Sequence, residues 1–313
     1  MESVQRLRTV DDGSRMAGRQ SGSAWRHYLA LTKPRLISLV LVTTAVGYVM
    51  GATTAIPLIG LLHVLVSVAL VAAGGGALNQ HREREFDARM LRTATRPLPM
   101  GVMRPAQAFW FGIGLTALGL AYTGVALGLL TLGLAVVSVG LYLLAYTPLK
   151  RTSPLCPLVG AITGALPPVM GWTAAGGPLD LGAAALFAIL YVWQLPHFLA
   201  IAWLYRDDYA RAGFAIARLS SDGGRGIAGA MPWLVVLLTL ASVLPRAVGL
   251  TGSVYLTAAV AMGVVYIVAA LWQPTRDVTV RARRLFRVSL IYLPVLLLVM
   301  AWDRLPRTPS TGP

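Results

Sequence analysis

The sequence predicts an all-α membrane protein, a polytopic bundle of about nine transmembrane helices. Only 12% of its 313 residues are charged and 56% are hydrophobic, whereas a soluble domain carries about 25% charged residues. The mean hydropathy is +0.67. Apolar runs of about 20 residues recur along the chain, and that length crosses a hydrocarbon core of about 30 Å as a helix. These observations exclude a soluble globular fold.

Nine apolar segments follow one another along the chain. They cover residues 37–56, 57–78, 105–124, 126–147, 155–176, 180–203, 230–250, 252–272 and 285–302. Pro167 and Pro168 in the fifth segment and Pro196 in the sixth should interrupt or kink their helices, because proline removes a backbone hydrogen bond. The glycine run from Gly74 to Gly76 should let a neighbouring helix approach the second segment closely.

The basic residues indicate how the bundle is oriented. Of the 27 Lys and Arg residues, 24 lie in the N-terminal stretch and in alternate connections, namely 1–36, 81–104, 148–154, 204–229 and 273–287. By the positive-inside rule, the N-terminus and these connections are cytoplasmic and the C-terminus is outside. The net charge of +15 is therefore attributed to contact with a lipid bilayer, and we expect no nucleic-acid partner.

We expect a single domain with two short tails. Residues 1–25 are polar and rich in Gly, Ser and Arg, which predicts a disordered cytoplasmic tail. Residues 26–304 form the transmembrane domain, and residues 305–313 form a short outer tail. The single cysteine, Cys156, excludes an intrachain disulfide and a cysteine-based metal cluster. We predict a multi-pass protein of a bacterial inner (plasma) membrane whose active site faces the cytoplasm.

The first charged connection carries a ladder of oxygen ligands. Asn79, Glu83 and Asp87 are spaced four residues apart, so they share one face if the second helix continues past the membrane boundary. Stacked carboxylates suit Mg²⁺, which binds through one or two carboxylates together with substrate phosphates. Just beyond the ladder, Arg92 and Arg96 can hold phosphate oxygens bidentately. The alternative is a solvated face on which acids pair with nearby arginines.

Two further cytoplasmic connections supply charged groups. Asp207 and Asp208 are adjacent, so one or both should point toward a ligand or metal ion, unless they pair with neighbouring arginines. Lys150 and Arg151 follow the fourth segment, either as membrane anchors or as charges for a diphosphate. Cations and a metal ion at the cytoplasmic end of the bundle would stabilise a departing pyrophosphate. The apolar bundle would hold an isoprenoid chain away from water.

These motifs resemble those of a known family. The pattern Asn79-x-x-x-Glu83-x-x-x-Asp87, followed by Arg92-Thr-x-x-Arg96-Pro-Leu, is similar to the first aspartate-rich motif of the UbiA superfamily of intramembrane prenyltransferases. Three further stretches resemble its haem O synthase branch: Tyr146-Thr-Pro-Leu-Lys-Arg, Gly164-Ala-Leu-Pro-Pro-Val-Met-Gly-Trp172 and Trp193-Gln-Leu-Pro-His197-Phe. The resemblance covers roughly residues 26–300.

The resemblance implies an activity and a set of site residues. It implies transfer of a farnesyl group from farnesyl diphosphate to a vinyl group of haem b, giving haem O for terminal oxidase assembly, with Mg²⁺ as cofactor. The implied catalytic residues are Asn79, Glu83, Asp87 and Asp208. The implied metal ligands are Glu83, Asp87, Asp207 and Asp208. The implied diphosphate ligands are Arg92, Arg96, Lys150 and Arg151. The second motif departs from the usual pair of aspartates four residues apart, since Tyr205 and Tyr209 occupy the flanking positions. This departure predicts a weaker or differently built second metal site.

His197 and Trp193 are the candidates for binding haem. An imidazole can ligate haem iron through a neutral nitrogen, and the indole offers a flat apolar face beside Pro196. A hydrogen-bonded structural role is the alternative for His197. A haem-pathway enzyme is a conceivable partner, but no motif identifies one.

Other functions fit part of the sequence. A prenyltransferase acting on an aromatic or quinone precursor would use the same ladder with a narrower acceptor pocket. A multi-span transporter would also have broken helices and intramembrane polar groups, but here the charges cluster at one interface. A purely structural haem-binding subunit would not need a ladder of oxygen ligands.

Overall fold

A computed structural model describes residues 24–53, 56–272 and 277–306. Within these residues the regular secondary structure is helical, as predicted, and there is no β-strand beyond one isolated bridge between Thr251 and Arg304. Most of the predicted cytoplasmic tail (1–23) and most of the predicted outer tail (307–313) lie outside the described residues.

The described residues form twelve α-helices, a π-helical segment and a 3-10 segment. In chain order the α-helices are α1 (Ala24–Thr32), α2 (Pro34–Gly51), α3 (Leu58–Asp87), α4 (Pro105–Leu127), α5 (Leu129–Gly140), α6 (Thr147–Thr152), α7 (Cys156–Ala174), α8 (Leu181–Leu204), α9 (Arg206–Ala212), α10 (Arg225–Ala247), α11 (Ser253–Leu271) and α12 (Val278–Trp302). The π-helical segment Leu141–Tyr146 joins α5 to α6, and the 3-10 segment Ala215–Ser220 precedes α10.

Eight helical stretches in the described part of the chain are long and apolar enough to cross a membrane. They are α2, α3, α4, the continuous stretch Leu129–Thr152, α8, α10, α11 and α12, and they coincide with eight of the nine predicted segments. The remaining predicted segment, 155–176, forms α7, whose 19 residues include prolines and glycines that lower its apolar character. Whether α7 is a ninth membrane crossing stays a prediction.

The prolines do not interrupt their helices, although interruption was one of the two predicted effects; the predicted kinks stay a prediction. Pro167 and Pro168 lie inside α7, and Pro196 lies inside α8. The reason is visible for Pro167, which leaves the carbonyl of Thr163 without its usual intrahelical donor. The hydroxyl of Ser138 in α5 donates to this oxygen at 3.4 Å. A neighbouring helix thus satisfies the freed carbonyl.

Small residues bring the backbones of neighbouring helices into direct contact. A Cβ added to Gly47 in α2 would lie 1.9 Å from the carbonyl oxygen of Pro168 in α7, and one added to Gly171 would lie 2.0 Å from that of Thr44. The predicted close approach at the glycine run is also present, since a Cβ on Gly74 would lie 2.8 Å from the carbonyl oxygen of Gly112 in α4. Such contacts are typical of helix packing in membranes.

The charged connections meet at one end of the bundle, which we call the charged end. There the connection after α3 touches the one after α8, because the Leu91 amide donates to Asp208 Oδ1 at 3.2 Å. Arg82 likewise donates to the carbonyl of Leu143 at 2.9 Å. The alternating charge pattern predicted this grouping. That the charged end faces the cytoplasm stays a prediction.

Candidate active site

The ladder of oxygen ligands lies on the last three turns of α3. This helix runs for 30 residues and continues beyond the apolar part of its sequence to Asp87. Asn79, Glu83 and Asp87 are exposed by only 1%, 3% and 1%. The three side chains therefore share the buried face of one helix, as their spacing predicted.

Cations from other segments bind both carboxylates of the ladder. Lys150 in α6 approaches Glu83 Oε1 at 2.8 Å and Oε2 at 3.2 Å. Arg96 donates to Asp87 Oδ2 at 2.6 Å. Two of the four predicted diphosphate ligands, Arg96 and Lys150, thus lie at the ladder. There they neutralise buried charges that would be unfavourable if unpaired.

Lys33 is a site residue that the sequence reasoning missed. Its ammonium group donates to Asn79 Oδ1 at 2.9 Å, so a third cation reaches the ladder. Its backbone φ is 55°, and it is the only non-glycine residue with positive φ in the described part of the chain. Such a conformation is uncommon outside glycine and clusters at functional sites. The only sequence signal is a lysine directly before Pro34, at the beginning of α2.

The π-helical segment places two more groups beside the ladder. The hydroxyl of Thr147 accepts from Asn79 Nδ2 at 3.2 Å and donates to the carbonyl of Tyr142 at 2.7 Å. The ring of Tyr146 lies 4.6 Å from the ammonium nitrogen of Lys150. Insertions of π-helix are frequent at functional sites because they redirect side chains. Here the segment directly precedes α6, which carries Thr147 and Lys150.

One oxygen of the ladder is available for a cation. Asp87 Oδ1 is buried and has no hydrogen-bond partner, and a buried carboxylate oxygen is seldom left unpaired. Its chemistry suits a hard cation such as Mg²⁺. Among the described residues, no group of three or more His, Cys, Asp or Glu side chains is arranged to hold a metal ion. A metal ion at the ladder would therefore take part of its coordination from a bound ligand.

Asp208 lies next to the connection that follows the ladder. Its side chain is 7% exposed, accepts from the Leu91 amide and pairs with Arg211. Burial would raise the pKa of the Asp208 carboxyl, but hydrogen bonds from Arg211 and from the backbone at Leu91 and Arg92 hold the pKa below its ordinary value. Asp208 is therefore a fixed anion at the charged end.

The tyrosines that replace the flanking aspartates support an arginine. Arg92 donates to the hydroxyl of Tyr209 at 3.2 Å, and its guanidinium carbon lies 5.1 Å from the ring of Tyr205 and 5.4 Å from that of Tyr209. Cation–π contacts of this kind orient a guanidinium group. The departure from the family pattern thus positions Arg92 instead of supplying further carboxylates.

Two predicted site residues lie apart from the ladder. The side chain of Asp207 is 79% exposed, and its nearest cation is Arg206 Nε at 3.9 Å. Arg151 is exposed; its guanidinium carbon lies 4.1 Å from the ring of Phe86 and it donates to the carbonyl of Arg82 at 3.1 Å. The structure does not bring either charge to the buried carboxylates.

His197 and Trp193 form an aromatic stack on α8. The imidazole lies between the rings of Trp193 and Phe286, with centroid distances of 5.0 Å to each. Its Nδ1 is 2.8 Å from the hydroxyl of Ser289, and the indole of Trp193 donates to the Ser289 carbonyl at 2.9 Å. Among the described residues, Nε2 of His197 makes no hydrogen bond. The ring is therefore held in place through one nitrogen while the other stays available.

Comparison with known proteins identifies the family. The UbiA prenyltransferase family matches residues 40–293. The chain belongs to this family. It is 38% identical over 288 residues to a protoheme IX farnesyltransferase of Solibacter usitatus, with 89% of this chain and 99% of the relative covered. It is 41% identical over 285 residues to the protein of that name in Myxococcus xanthus, with 89% and 95% covered.

Two solved structures of membrane proteins share the fold. A structure from work on digeranylgeranylglyceryl phosphate synthase has a TM-score of 0.75 at 20% identity and covers 89% of this chain and 98% of its own. A UbiA homologue from Archaeoglobus fulgidus, bound to GPP and Mg²⁺, has a TM-score of 0.64 at 17% identity and covers 88% and 99%. The family resemblance predicted from the motifs and the multi-pass membrane fold predicted from the apolar segments are thus confirmed.

Proposed function

We propose that this chain transfers the farnesyl group of farnesyl diphosphate to a vinyl group of haem b, giving haem O. The observation that carries the proposal is the buried ladder of Asn79, Glu83 and Asp87, surrounded by cations at one end of an apolar bundle. Its UbiA relatives, named protoheme IX farnesyltransferase, match nearly the full chain, and this supports haem as the acceptor.

Mg²⁺ is the proposed cofactor. Asp87, with its unpartnered oxygen, Glu83 and Asn79 would hold the ion, together with phosphate oxygens of the substrate. When bound, the ion neutralises diphosphate charge and so makes pyrophosphate a better leaving group. The UbiA homologue of Archaeoglobus fulgidus that was solved with GPP and Mg²⁺ supports this assignment. Asp208 would contribute a second, fixed negative charge.

The cations of the ladder are proposed to bind the diphosphate. Lys33, Arg96 and Lys150 already hold oxygen atoms of the ladder, so their donors are oriented toward the place where the diphosphate would lie. Arg92 is oriented by its two tyrosines and would bind phosphate bidentately. We assign no role to Asp207 or Arg151, since their exposed side chains contact groups outside the ladder.

The acceptor would lie against the aromatic stack of α8. Both faces of the His197 ring are covered by Trp193 and Phe286, so its edge atom Nε2 is the proposed contact to the haem iron. Trp193, which is only 5% exposed, would hold the imidazole in place. The apolar lining would keep water from the allylic cation. We further propose that the charged end faces the cytoplasm of a bacterial inner membrane, because it gathers the basic connections.

The proposal is tested with purified protein, Mg²⁺, isotope-labelled farnesyl diphosphate and haem b. We expect a haem product whose mass has increased by the labelled farnesyl group, and no such product without Mg²⁺. A labelled product formed only when an aromatic acid or quinone precursor replaces haem would contradict haem as the acceptor. Movement of unreacted farnesyl diphosphate across liposome membranes, without any product, would instead indicate transport.

A further inference from the structure

α12 begins with a row of arginines that the proposed reaction does not use. Arg281, Arg284 and Arg287 are spaced three residues apart, and we call them the α12 arginine row. None of them belongs to an ion pair with a described residue. Like charges three residues apart on a helix repel one another. A counter-charge for the α12 arginine row must therefore come from outside the described residues.

Two members of the row have buried donors without partners. Nε and Nη2 of Arg281 and Nε of Arg284 are inaccessible to solvent and find no hydrogen-bond partner among the described residues. Buried polar atoms are nearly always hydrogen-bonded, and an unpaired charged donor is costly. A bound anion would satisfy these unpaired donors of Arg281 and Arg284.

Trp272 indicates where this site lies relative to the membrane–water interface. Trp272, at the end of α11, is 63% exposed, as is typical of tryptophans at membrane–water interfaces. Arg284 donates to the Trp272 carbonyl, and its guanidinium carbon lies 5.3 Å from the indole ring. The arginine row therefore lies at the level of lipid headgroups.

An apolar surface continues from the tryptophan along α11. Val264 and Val268 are 52% and 57% exposed and share a helix face with Trp272, because they precede it by eight and four residues. This surface can lie along an acyl chain whose headgroup is at the arginine row.

We propose that Arg281 and Arg284 bind the phosphodiester of an anionic phospholipid, with Arg287 at the rim of the site. Guanidinium groups match phosphate oxygens bidentately, and basic residues next to a membrane helix attract anionic lipids. The membrane depth favours a lipid over a soluble acidic partner. The site uses residues of α11 and α12, none of which is among the residues assigned to the diphosphate.

The test compares lipids and variants of the full-length protein in neutral detergent. Phosphatidylglycerol should raise the Tm of the wild-type protein, whereas phosphatidylcholine should not. The double variant Arg281→Gln/Arg284→Gln should lose this rise and bind phosphatidylglycerol at least about tenfold more weakly by native mass spectrometry, as expected for losing charge-assisted hydrogen bonds. Without anionic lipid, the single variant Arg281→Gln should unfold at the same temperature as the wild type or higher, since two unpaired buried donors are gone.

Arg283→Gln is the matched control, because Arg283 is exposed on another face of the same helix. It should keep the response to phosphatidylglycerol. An unchanged phosphatidylglycerol response in the double variant would overturn the proposal. Equal stabilisation of the wild type by inorganic phosphate at the same concentration would show a small-anion site instead of a lipid site. Stabilisation by polyglutamate but not by phosphatidylglycerol would favour an acidic protein partner and would also overturn it.

Discussion

Asp87 ends α3 with one carboxylate oxygen on Arg96 and the other buried without a partner. Asp87→Asn keeps the size of the side chain and removes its charge, so binding of Mg²⁺ with diphosphate should weaken. We expect the rate to fall by about 10²-fold or more, as when a preorganised electrostatic group is removed. The measurement is the initial rate of haem farnesylation as a function of Mg²⁺ concentration.

Glu85→Gln is the matched control for Asp87→Asn. The Glu85 side chain is 70% exposed and pairs only with Arg84 among the described residues, although it lies two positions away on the same helix. Its rate should stay close to that of the wild type. Near-normal turnover in Asp87→Asn at unchanged protein level would remove this carboxylate from the ligand set.

Lys33 offers a second residue-level prediction. Lys33→Met removes the ammonium group that bonds Asn79, and a charge-assisted hydrogen bond contributes about 1.5–3 kcal/mol. We expect affinity for farnesyl diphosphate to fall by about 10- to 100-fold, as measured by equilibrium binding. Arg35→Gln, which removes an exposed charge two residues later, should bind normally. Equal affinities in both variants would contradict a diphosphate role for Lys33.

A substitution at His197 tests the proposed haem-binding part of the site. His197→Ala should shift the Soret band of bound haem and weaken haem binding, while farnesyl diphosphate binding stays intact, because an imidazole ligand gives haem a characteristic spectrum. Ser289→Ala is the companion variant, since it removes the hydroxyl that holds Nδ1 but keeps the ligand. It should cause a smaller spectral shift. Loss of both substrates in His197→Ala would show that this residue supports the fold.

At the scale of helices, backbone contact between α2 and α7 is the most restrictive packing feature. Gly171 has room for no side chain, because an added Cβ would lie 2.0 Å from the carbonyl oxygen of Thr44. Gly171→Ala should therefore destabilise the protein by about 1–3 kcal/mol, as overpacking typically does. Thermal unfolding in detergent measures the effect.

Gly133→Ala is the control for this packing prediction. Nothing lies within 4 Å of a Cβ added at Gly133 in α5, and alanine favours a helix over glycine by about 1 kcal/mol. The variant should keep or raise the unfolding temperature. If Gly171→Ala unfolded at the wild-type temperature, α2 and α7 would not be in backbone contact.

At the scale of the whole molecule, the orientation in the membrane is the main prediction. A reporter that is active only outside the cytoplasm should be silent when fused after Arg96 or Arg218 and active when fused after Gly177. The first two positions lie in strongly basic connections, and the third lies in an almost uncharged one. A strong signal after Arg96 would reverse the orientation and move the proposed active site to the other face.

Local properties of the sequence were sufficient to predict the helical fold and the three ladder residues of the candidate site. Apolar length predicted the spans, and the spacing of Asn79, Glu83 and Asp87 predicted their shared face, because both depend on residues close together in one helix. Pro167 does not interrupt α7, because the donor that compensates for it, Ser138, lies in another helix. That Pro167 kinks α7 stays a prediction.

The sequence by itself determined a helical membrane protein with a ladder of oxygen ligands at its charged end. Only the tertiary structure decided which cations meet that ladder. Lys33 is 46 residues from Asn79, and Lys150 is 67 residues from Glu83. Such contacts depend on how distant helices pack, and helix packing depends on close backbone approach at small residues, which periodicity and charge do not encode.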